Sequence, residues 1–203
     1  MGITLQQFKQ INERLGGKVT RKARPLVEPT RLNTAGTHKI IVGLDSSLRG
    51  TGYGIIQIAK PHPLTLAHGT IRCPASWPHS RCLANIAQTL RDLVREHKPT
   101  ACVVEGIFHV QNLQTAIVMG EARGAAMAAM AEAGLDVYEI AARKVKQAIV
   151  GYGAAQKHAV AKMVQRMLQL SELPAPDASD ALALALAHAQ EHSRYSLTPP
   201  KRI

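Results

Sequence analysis

A chain of 203 residues, of which 46% are hydrophobic, is long enough for one ordinary globular domain and an appendage. Its formal net charge of +11 favours an anionic partner, with nucleic acid ahead of a membrane surface. The three cysteines have neither zinc-ligand spacing nor an even number, which argues against a zinc site and a disulfide scaffold, and no apolar run approaches the length of a membrane span. We therefore expect a cytoplasmic protein without a membrane segment.

The first 38 residues form a basic N-terminal extension. Residues 1–39 contain eight Lys or Arg and two Glu, so +6 of the net charge lies there. Thr4 opens a capping-box sequence, and apolar residues follow it at helical spacing as far as Leu15, which predicts a short amphipathic helix. Residues 18–38 contain two prolines and no periodicity. They are either a solvated tail or an arm that binds phosphates, whose contribution would weaken with salt.

The domain proper extends from residue 39 to residue 193, and residues 194–203 look like a loose C-terminal tail. Short links between the first three strands favour an antiparallel meander, and helical crossovers join it to two later strands. These patterns predict an α/β fold with a mixed five-stranded sheet, three antiparallel strands plus two parallel ones, flanked by helices. The predicted strands are 39–45, 52–59, 64–72, 101–105 and 136–140, and the predicted helices are 83–97, 111–133, 141–150, 155–170 and 177–192.

Four acids stand in apolar or small-residue surroundings. Asp45 ends the first strand, where it is either the cap of the following Gly/Ser-rich turn or a functional group, and Glu105 ends the fourth strand in the same way. Asp177 and Asp180 are three residues apart at the start of the last helix, so both project from one side of it. Helix capping and the helix dipole would explain that pair if it stood alone.

Taken together, the four acids predict a metal site. Like charges that converge on one point need cations, and oxygen ligands without a His or Cys partner favour Mg²⁺, with Mn²⁺ as a substitute. Two such ions, about 3.5–4 Å apart, stabilise both the attacking and the leaving oxygen of a displacement at phosphorus. This combination indicates a nuclease.

Five motifs occur in order between residues 39 and 190 and carry a family resemblance. They are GLDSSLRGTGYGII, VVEGIF followed by Asn112, MGEARGAA, AARKVKQAIVGYGAAQK and DASDALALALAH. With them the chain resembles the RuvC Holliday junction resolvases, dimeric Mg²⁺-dependent endonucleases of the ribonuclease H-like fold. The resemblance implies an enzyme that resolves four-way DNA junctions by paired symmetric nicks, in recombination and repair, with branch-migration motor proteins as partners.

The resemblance also implies roles for individual residues. Asp45, Glu105, Asp177 and Asp180 would be the catalytic carboxylates that bind the two metal ions. Lys146 would join them in catalysis and Lys157 would lie near the scissile phosphate, although both are otherwise ordinary solvated lysines. Phe108 would stack on bases at the junction centre, where a core role is the alternative. The implied DNA-binding residues are Arg49, Phe108, Asn112, Lys144, Lys146 and Lys157.

The helix at 111–133 is rich in Gly and Ala, which allows a second helix to approach closely, and the resemblance implies that it forms the interface of a homodimer. Two features depart from the family. Ser46-Ser47 replaces the usual Pro-Gly after the first acid, so we expect the acid to keep its position and the turn to differ, and the basic extension has no counterpart.

Two other functions remain open from the sequence. A nuclease of the same fold that cuts branched DNA in general, or RNA, would need the same sheet and acids. A junction-binding protein without catalytic activity is the other alternative, and the presence of all four acids argues against it.

Overall fold

The computed structural model describes residues 38–106, 112–193 and 200–203. The basic extension and Phe108 lie outside the described residues. No helix in the described part of the chain combines the length and hydropathy that a membrane crossing requires. The elements in chain order are β1 (Ile40–Asp45), β2 (Gly50–Gln57), β3 (Leu64–Arg72), α1 (His79–His97), β4 (Ala101–Gly106), α2 (Leu113–Glu132), β5 (Val137–Ala141), α3 (Ala142–Val150), α4 (Lys157–Met167), α5 (Pro176–Ser193) and β6 (Lys201–Arg202).

The described strands form one mixed sheet in the order β3-β2-β1-β4-β5-β6. The meander of β1, β2 and β3 is antiparallel and the neighbours β1, β4 and β5 are parallel, as the sequence predicted. The predicted count of five strands is wrong by one, because Lys201–Arg202 pairs antiparallel with β5. An ion pair between Arg202 and Asp136 fastens this short strand. The predicted tail, residues 194–203, thus carries a short strand at its described end.

Hydrophobic side chains alternate between the two faces of the sheet, so each face has its own core. Val42 of β1 packs in the cluster that α1 and α2 cover, whereas its neighbour Ile41 packs in the cluster that α3, α4 and α5 cover. The central strands are buried on both sides, which explains their nearly continuous apolar sequences. The sheet is thus a middle layer between two helical layers.

Helix α5 lies unusually close to β1 and β2 because three glycines leave room for its backbone. A Cβ atom built on Gly43 would lie 2.0 Å from the carbonyl oxygen of Ala181, and one on Gly52 would lie 2.0 Å from that of Asp177. Gly54, opposite Gly43 in the ladder, would meet Leu182 in the same way. Glycine permits this approach of helix to strand, and it brings the first turn of α5 to the end of β1.

Candidate active site

Three of the four predicted acids converge at one edge of the sheet. Asp45 ends β1, and Glu105 occupies the equivalent place on the parallel neighbour β4, one residue beyond the Leu44–Val104 pair. The ends of adjacent parallel strands are a common place for ligand sites. Asp180 reaches them from α5, and the three acids line a cavity of about 320 Å³ together with Lys146 and Lys157.

Burial and mutual repulsion make the full ionisation of these acids costly. Burial is the largest cause that raises the pKa of Asp45, and together with the charges of Glu105, Asp180 and Asp177, in that order, it brings this pKa to about 7. The pKa of Glu105 is raised by burial and then by Asp180. Like charges in a partly buried site favour the neutral form unless a cation is present. The cluster is therefore short of positive charge.

The lysines compensate part of this negative charge. Lys157, the first residue of α4, donates a hydrogen bond of 2.9 Å from Nζ to Oδ2 of Asp180. That hydrogen bond raises the pKa of Lys157, so its ammonium is the stable form. The charge of Lys146, on α3, lowers the pKa of Glu105 against the larger effect of burial. Both lysines thus stand on the wall of the acidic cavity.

Asp177 lies at the margin of the cluster. It lines a neighbouring cavity of about 440 Å³ with Arg49, Gly50, Thr70 and other residues of β3 and the loop that follows. Its charge still raises the pKa of Asp45, less than the other two acids do. Asp177 and Asp180 therefore line two adjoining cavities, and only Asp180 lies in the cavity of Asp45 and Glu105.

The remaining predicted residues have contacts within the protein. Nη1 of Arg49 donates to the carbonyl oxygens of Pro74, at 2.5 Å, and Trp77, at 3.1 Å, so its guanidinium fastens the loop between β3 and α1. The side chain of Asn112 accepts a hydrogen bond of 2.8 Å from the N–H of Gln114 and caps α2. Lys144 is exposed on α3.

Hydrogen bonds to Ser47 close the turn after Asp45. Ser47 Oγ accepts a hydrogen bond of 3.1 Å from the N–H of Gly50, and Thr51 Oγ1 donates one of 2.6 Å to the carbonyl oxygen of Ser47. Such hydroxyl-to-backbone contacts are a known substitute for backbone turn geometry. Asp45 itself pairs with Gly52 across the β1–β2 ladder, so the strands fix its position.

Sequence reasoning missed two features of the site. The glycines under α5 were interpreted as parts of a turn and a motif, although glycine inside a strand signals close approach of another backbone. Arg123, in the middle of α2, binds the main chain of Glu105 and the side chain of Glu139. The motif MGEARGAA contains this arginine, a charged residue in a helix otherwise rich in small side chains, and that contrast was the available signal.

The donor set fits a hard divalent cation. Among the residues that the structure describes, three carboxylates and no cysteine or histidine line the cavity, which is the ligand chemistry of Mg²⁺ and Mn²⁺. Within residues 38–106, 112–193 and 200–203, no group of three or more His, Cys, Asp or Glu side chains is placed so that it could hold a metal ion by itself. Mg²⁺ does not need such a group, because it is usually held by one or two carboxylates together with waters and substrate phosphates.

Comparisons with known proteins find related sequences over most of the described domain. A family model described as "Crossover junction endodeoxyribonuclease RuvC" matches residues 41–188. A protein of that description from Coxiella burnetii is 45% identical over 151 residues, which is 74% of this chain and 87% of that protein. One from Pseudomonas aeruginosa is 42% identical over 160 residues, 79% of this chain and 90% of that protein.

Two solved structures support the fold. The structure described as T. thermophilus RuvC in complex with Holliday junction substrate has a TM-score of 0.74 at 31% identity, covering 81% of this chain and all of that chain. The yeast mitochondrial Holliday junction resolvase Ydc2 has a TM-score of 0.57 at 8% identity, covering 77% of this chain and 80% of that chain, a likeness of fold alone. The predicted ribonuclease H-like α/β fold is confirmed.

Proposed function

Because this chain belongs to the RuvC family of crossover junction endodeoxyribonucleases, we propose that it resolves four-way DNA junctions by cutting two strands symmetrically. One observation carries the proposal: Asp45, Glu105 and Asp180 meet at one sheet edge with two lysines on the same cavity wall. The described relative in complex with a Holliday junction supports the choice of substrate. A basic chain with a net charge of +11 suits a polyanionic substrate.

The proposal includes divalent metal ions, two per site, with Mg²⁺ as the natural ion and Mn²⁺ as a substitute. Asp45, Glu105 and Asp180 would hold them, with Asp177 at the margin. When bound, such ions supply Lewis-acid activation of water and of the phosphoryl oxygens. The raised pKa values of Asp45 and Glu105 support this part of the proposal, because a cation placed between the acids would offset the burial of their charges and their mutual repulsion.

The residues of the chain contribute position and charge. The ends of β1 and β4 fix Asp45 and Glu105, and the close approach of α5 adds Asp180. The ammonium groups of Lys146 and Lys157 stand where they attract the scissile phosphate and offset charge that develops on its oxygens. The pair between Lys157 and Asp180 holds that lysine over the cavity before substrate arrives.

We also propose that two copies associate through α2. Leu113 and Ile117 are 77% and 47% exposed, and Gly120 and Gly124 have nothing within 4 Å of a built Cβ atom. These residues follow helical spacing, so they form one apolar, small-residue face. Ile117→Arg should yield monomers in sedimentation velocity, whereas Thr115→Arg, on the other side of the helix, should not. Equal association of both variants would contradict the proposal.

The basic extension is proposed to add affinity for DNA arms. Its support is the charge of +6 in residues 1–39, since each lysine or arginine at a phosphate releases counterions. Deletion of residues 1–37 should weaken junction binding and flatten its dependence on salt, with cleavage positions unchanged. An unchanged affinity and salt slope would refute this role.

The decisive experiment is cleavage of a synthetic mobile four-way junction with Mg²⁺, with both strands of the cut pair end-labelled. Symmetric paired nicks are expected, and flap, duplex and RNA substrates under the same conditions separate a resolvase from a general nuclease. Asp45→Asn should bind the junction and fail to cut it. Binding by the unmodified protein without nicks in Mg²⁺ or Mn²⁺ would replace the proposal with a junction-binding function.

A further inference from the structure

Arg123 has an unusual position for an arginine on α2. Its side chain is 17% exposed, and every nitrogen of the guanidinium has a partner. Nε donates a hydrogen bond of 3.2 Å to the carbonyl oxygen of Glu105, Nη1 lies 3.1 Å from Sδ of Met127, and Nη2 is ion-paired with the carboxylate of Glu139. One side chain therefore joins α2 to the end of β4 and to the middle of β5.

The register of the sheet shows from which side Arg123 acts. Glu139 pairs with Val104, whose side chain lies in the core under α1 and α2. Glu105, the next residue, points its side chain to the other face, toward the acidic cavity. Arg123 thus donates its hydrogen bond to the main chain of Glu105 from the face of the sheet opposite to the Glu105 carboxylate.

A buried ion pair alone does not explain this arrangement. The Arg123 and Glu139 side chains are only 17% and 21% exposed, and taking two charges out of water cancels much of their attraction. The pair is better explained by the hydrogen bond that Arg123 donates to the main chain of Glu105. The β1–β4 ladder reaches only the Leu44–Val104 pair, so β1 does not pair with β4 at Glu105. Arg123 supplies a fixed donor at the residue where that support ends.

We propose that Arg123, oriented by Glu139, is a positioning residue that holds Glu105 opposite Asp45 for metal binding. The inference rests on the proposed function of the acidic cavity. Arg123 does not touch the reacting atoms, and it acts through the backbone of Glu105. A planar guanidinium with several donors can hold a carbonyl and a carboxylate at once, whereas a lysine ammonium is a point donor on a flexible stem.

The test is a direct titration of metal-free protein with Mn²⁺, followed by electron paramagnetic resonance, together with the Mg²⁺ dependence of junction cleavage. Arg123→Gln should raise both the Mn²⁺ Kd and the half-saturating Mg²⁺ concentration about tenfold, as removal of partners that orient metal ligands does. Glu139→Gln should act in the same direction. The double variant should be no worse than the more affected single variant, because both residues act as one unit.

The chain offers a matched control for the loss of an Arg–Glu pair. Arg91 of α1 donates from Nε and Nη2 to Glu132 at the end of α2, and both side chains are substantially exposed. Arg91→Gln should leave the Mn²⁺ Kd and the Mg²⁺ dependence unchanged. Arg123→Lys keeps the charge and is the variant to use if Arg123→Gln fails to fold, with an expected loss of metal affinity of about three- to fivefold.

The proposal would be overturned if the Mn²⁺ Kd were unchanged in Arg123→Lys and Glu139→Gln, even if both variants were less stable to heat. The Arg123–Glu139 pair would then be an ordinary structural ion pair. Junction binding in EDTA should be unaffected, so a loss of binding equal to the loss of cleavage would also count against it. A failure of the proposed function itself would be recognised by a different result of the Mn²⁺ titration. In that case Asp45→Asn would bind Mn²⁺ as well as the unmodified protein does.

Discussion

Replacing Asp45 with Asn should stabilise the metal-free protein at alkaline pH. The residue has a pKa of 3.8 in its reference state and of about 7 in the folded chain, chiefly because it is buried and then because Glu105 and Asp180 repel its charge. An acid with a raised pKa binds its proton more tightly in the native state. Its ionisation therefore costs no native stability below about pH 4, and the cost grows between about pH 4 and pH 7 and stays constant above that.

The expected gain in stability follows from the difference between the folded and unfolded pKa of Asp45. A difference of about 3 pKa units, at about 1.4 kcal/mol each, corresponds to roughly 4 kcal/mol of lost stability at pH 8. Asparagine removes the charge while keeping the size of the side chain. Asp45, Glu105 and Asp180 titrate as one coupled group and share this cost. A gain in stability of about 2–4 kcal/mol is therefore expected for Asp45→Asn at pH 8. At pH 4 the gain should be below about 0.5 kcal/mol.

Urea denaturation followed by circular dichroism, in EDTA at pH 4 and pH 8, measures both values. Glu172→Gln, which neutralises an exposed acid, should change stability by less than about 0.5 kcal/mol at either pH. Mg²⁺ at pH 8 should raise the stability of the unmodified protein and leave that of Asp45→Asn nearly unchanged, because a ligand stabilises only a state that binds it. An equal gain at both pH values, or a loss at pH 8, would refute the electrostatic reasoning.

Three other substitutions test the geometry. Gly43→Ala should cost at least about 3 kcal/mol in thermal melts, because its Cβ would lie 2.0 Å from the carbonyl oxygen of Ala181; a loss below about 1 kcal/mol would contradict the close packing of α5. Arg49→Ala should lower stability in urea by about 1–2 kcal/mol through its lost carbonyl contacts, and an unchanged midpoint would contradict that role. Lys157→Met should reduce the kcat of junction cleavage about 10²-fold with a nearly unchanged junction Kd, and a larger change in Kd than in kcat would assign Lys157 to binding.

The sequence predicted those parts of the fold that depend on local patterns. Apolar runs bounded by turn residues correctly located the first five strands, since strands buried on both faces have distinctive sequences. The sixth strand, Lys201–Arg202, has two exposed residues and no periodicity. It exists because the edge of β5 offers backbone partners and Asp136 offers a counter-charge. Such tertiary pairing leaves no local signature.

The same distinction applies to the site. Strand ends predicted that Asp45 and Glu105 would be neighbours, but spacing alone could not separate Asp177 from Asp180. Their difference depends on how α5 is rotated and how deeply it lies on the sheet, which the glycines of β1 and β2 decide. Arg49 shows the same limit, because its inward contacts are with a loop that begins some 25 residues later in the chain.

The turn at Ser46-Ser47 shows why the acid tolerates a departure from the family's pattern. A Pro-Gly turn is shaped by backbone preferences, whereas here the hydroxyl of Ser47 accepts the N–H of Gly50 and Thr51 donates to the Ser47 carbonyl. Neither contact involves Asp45, which is held by its ladder partner Gly52 and by the burial of the β1 strand. Gly52, the ladder partner of Asp45, also allows the backbone of α5 to approach at Asp177. The Asp45–Gly52 pair therefore links the first acid to the helix that carries Asp177 and Asp180. The position of the acids is therefore set by strand pairing and glycine contacts rather than by the turn, so the sequence of the turn can change without displacing the acids.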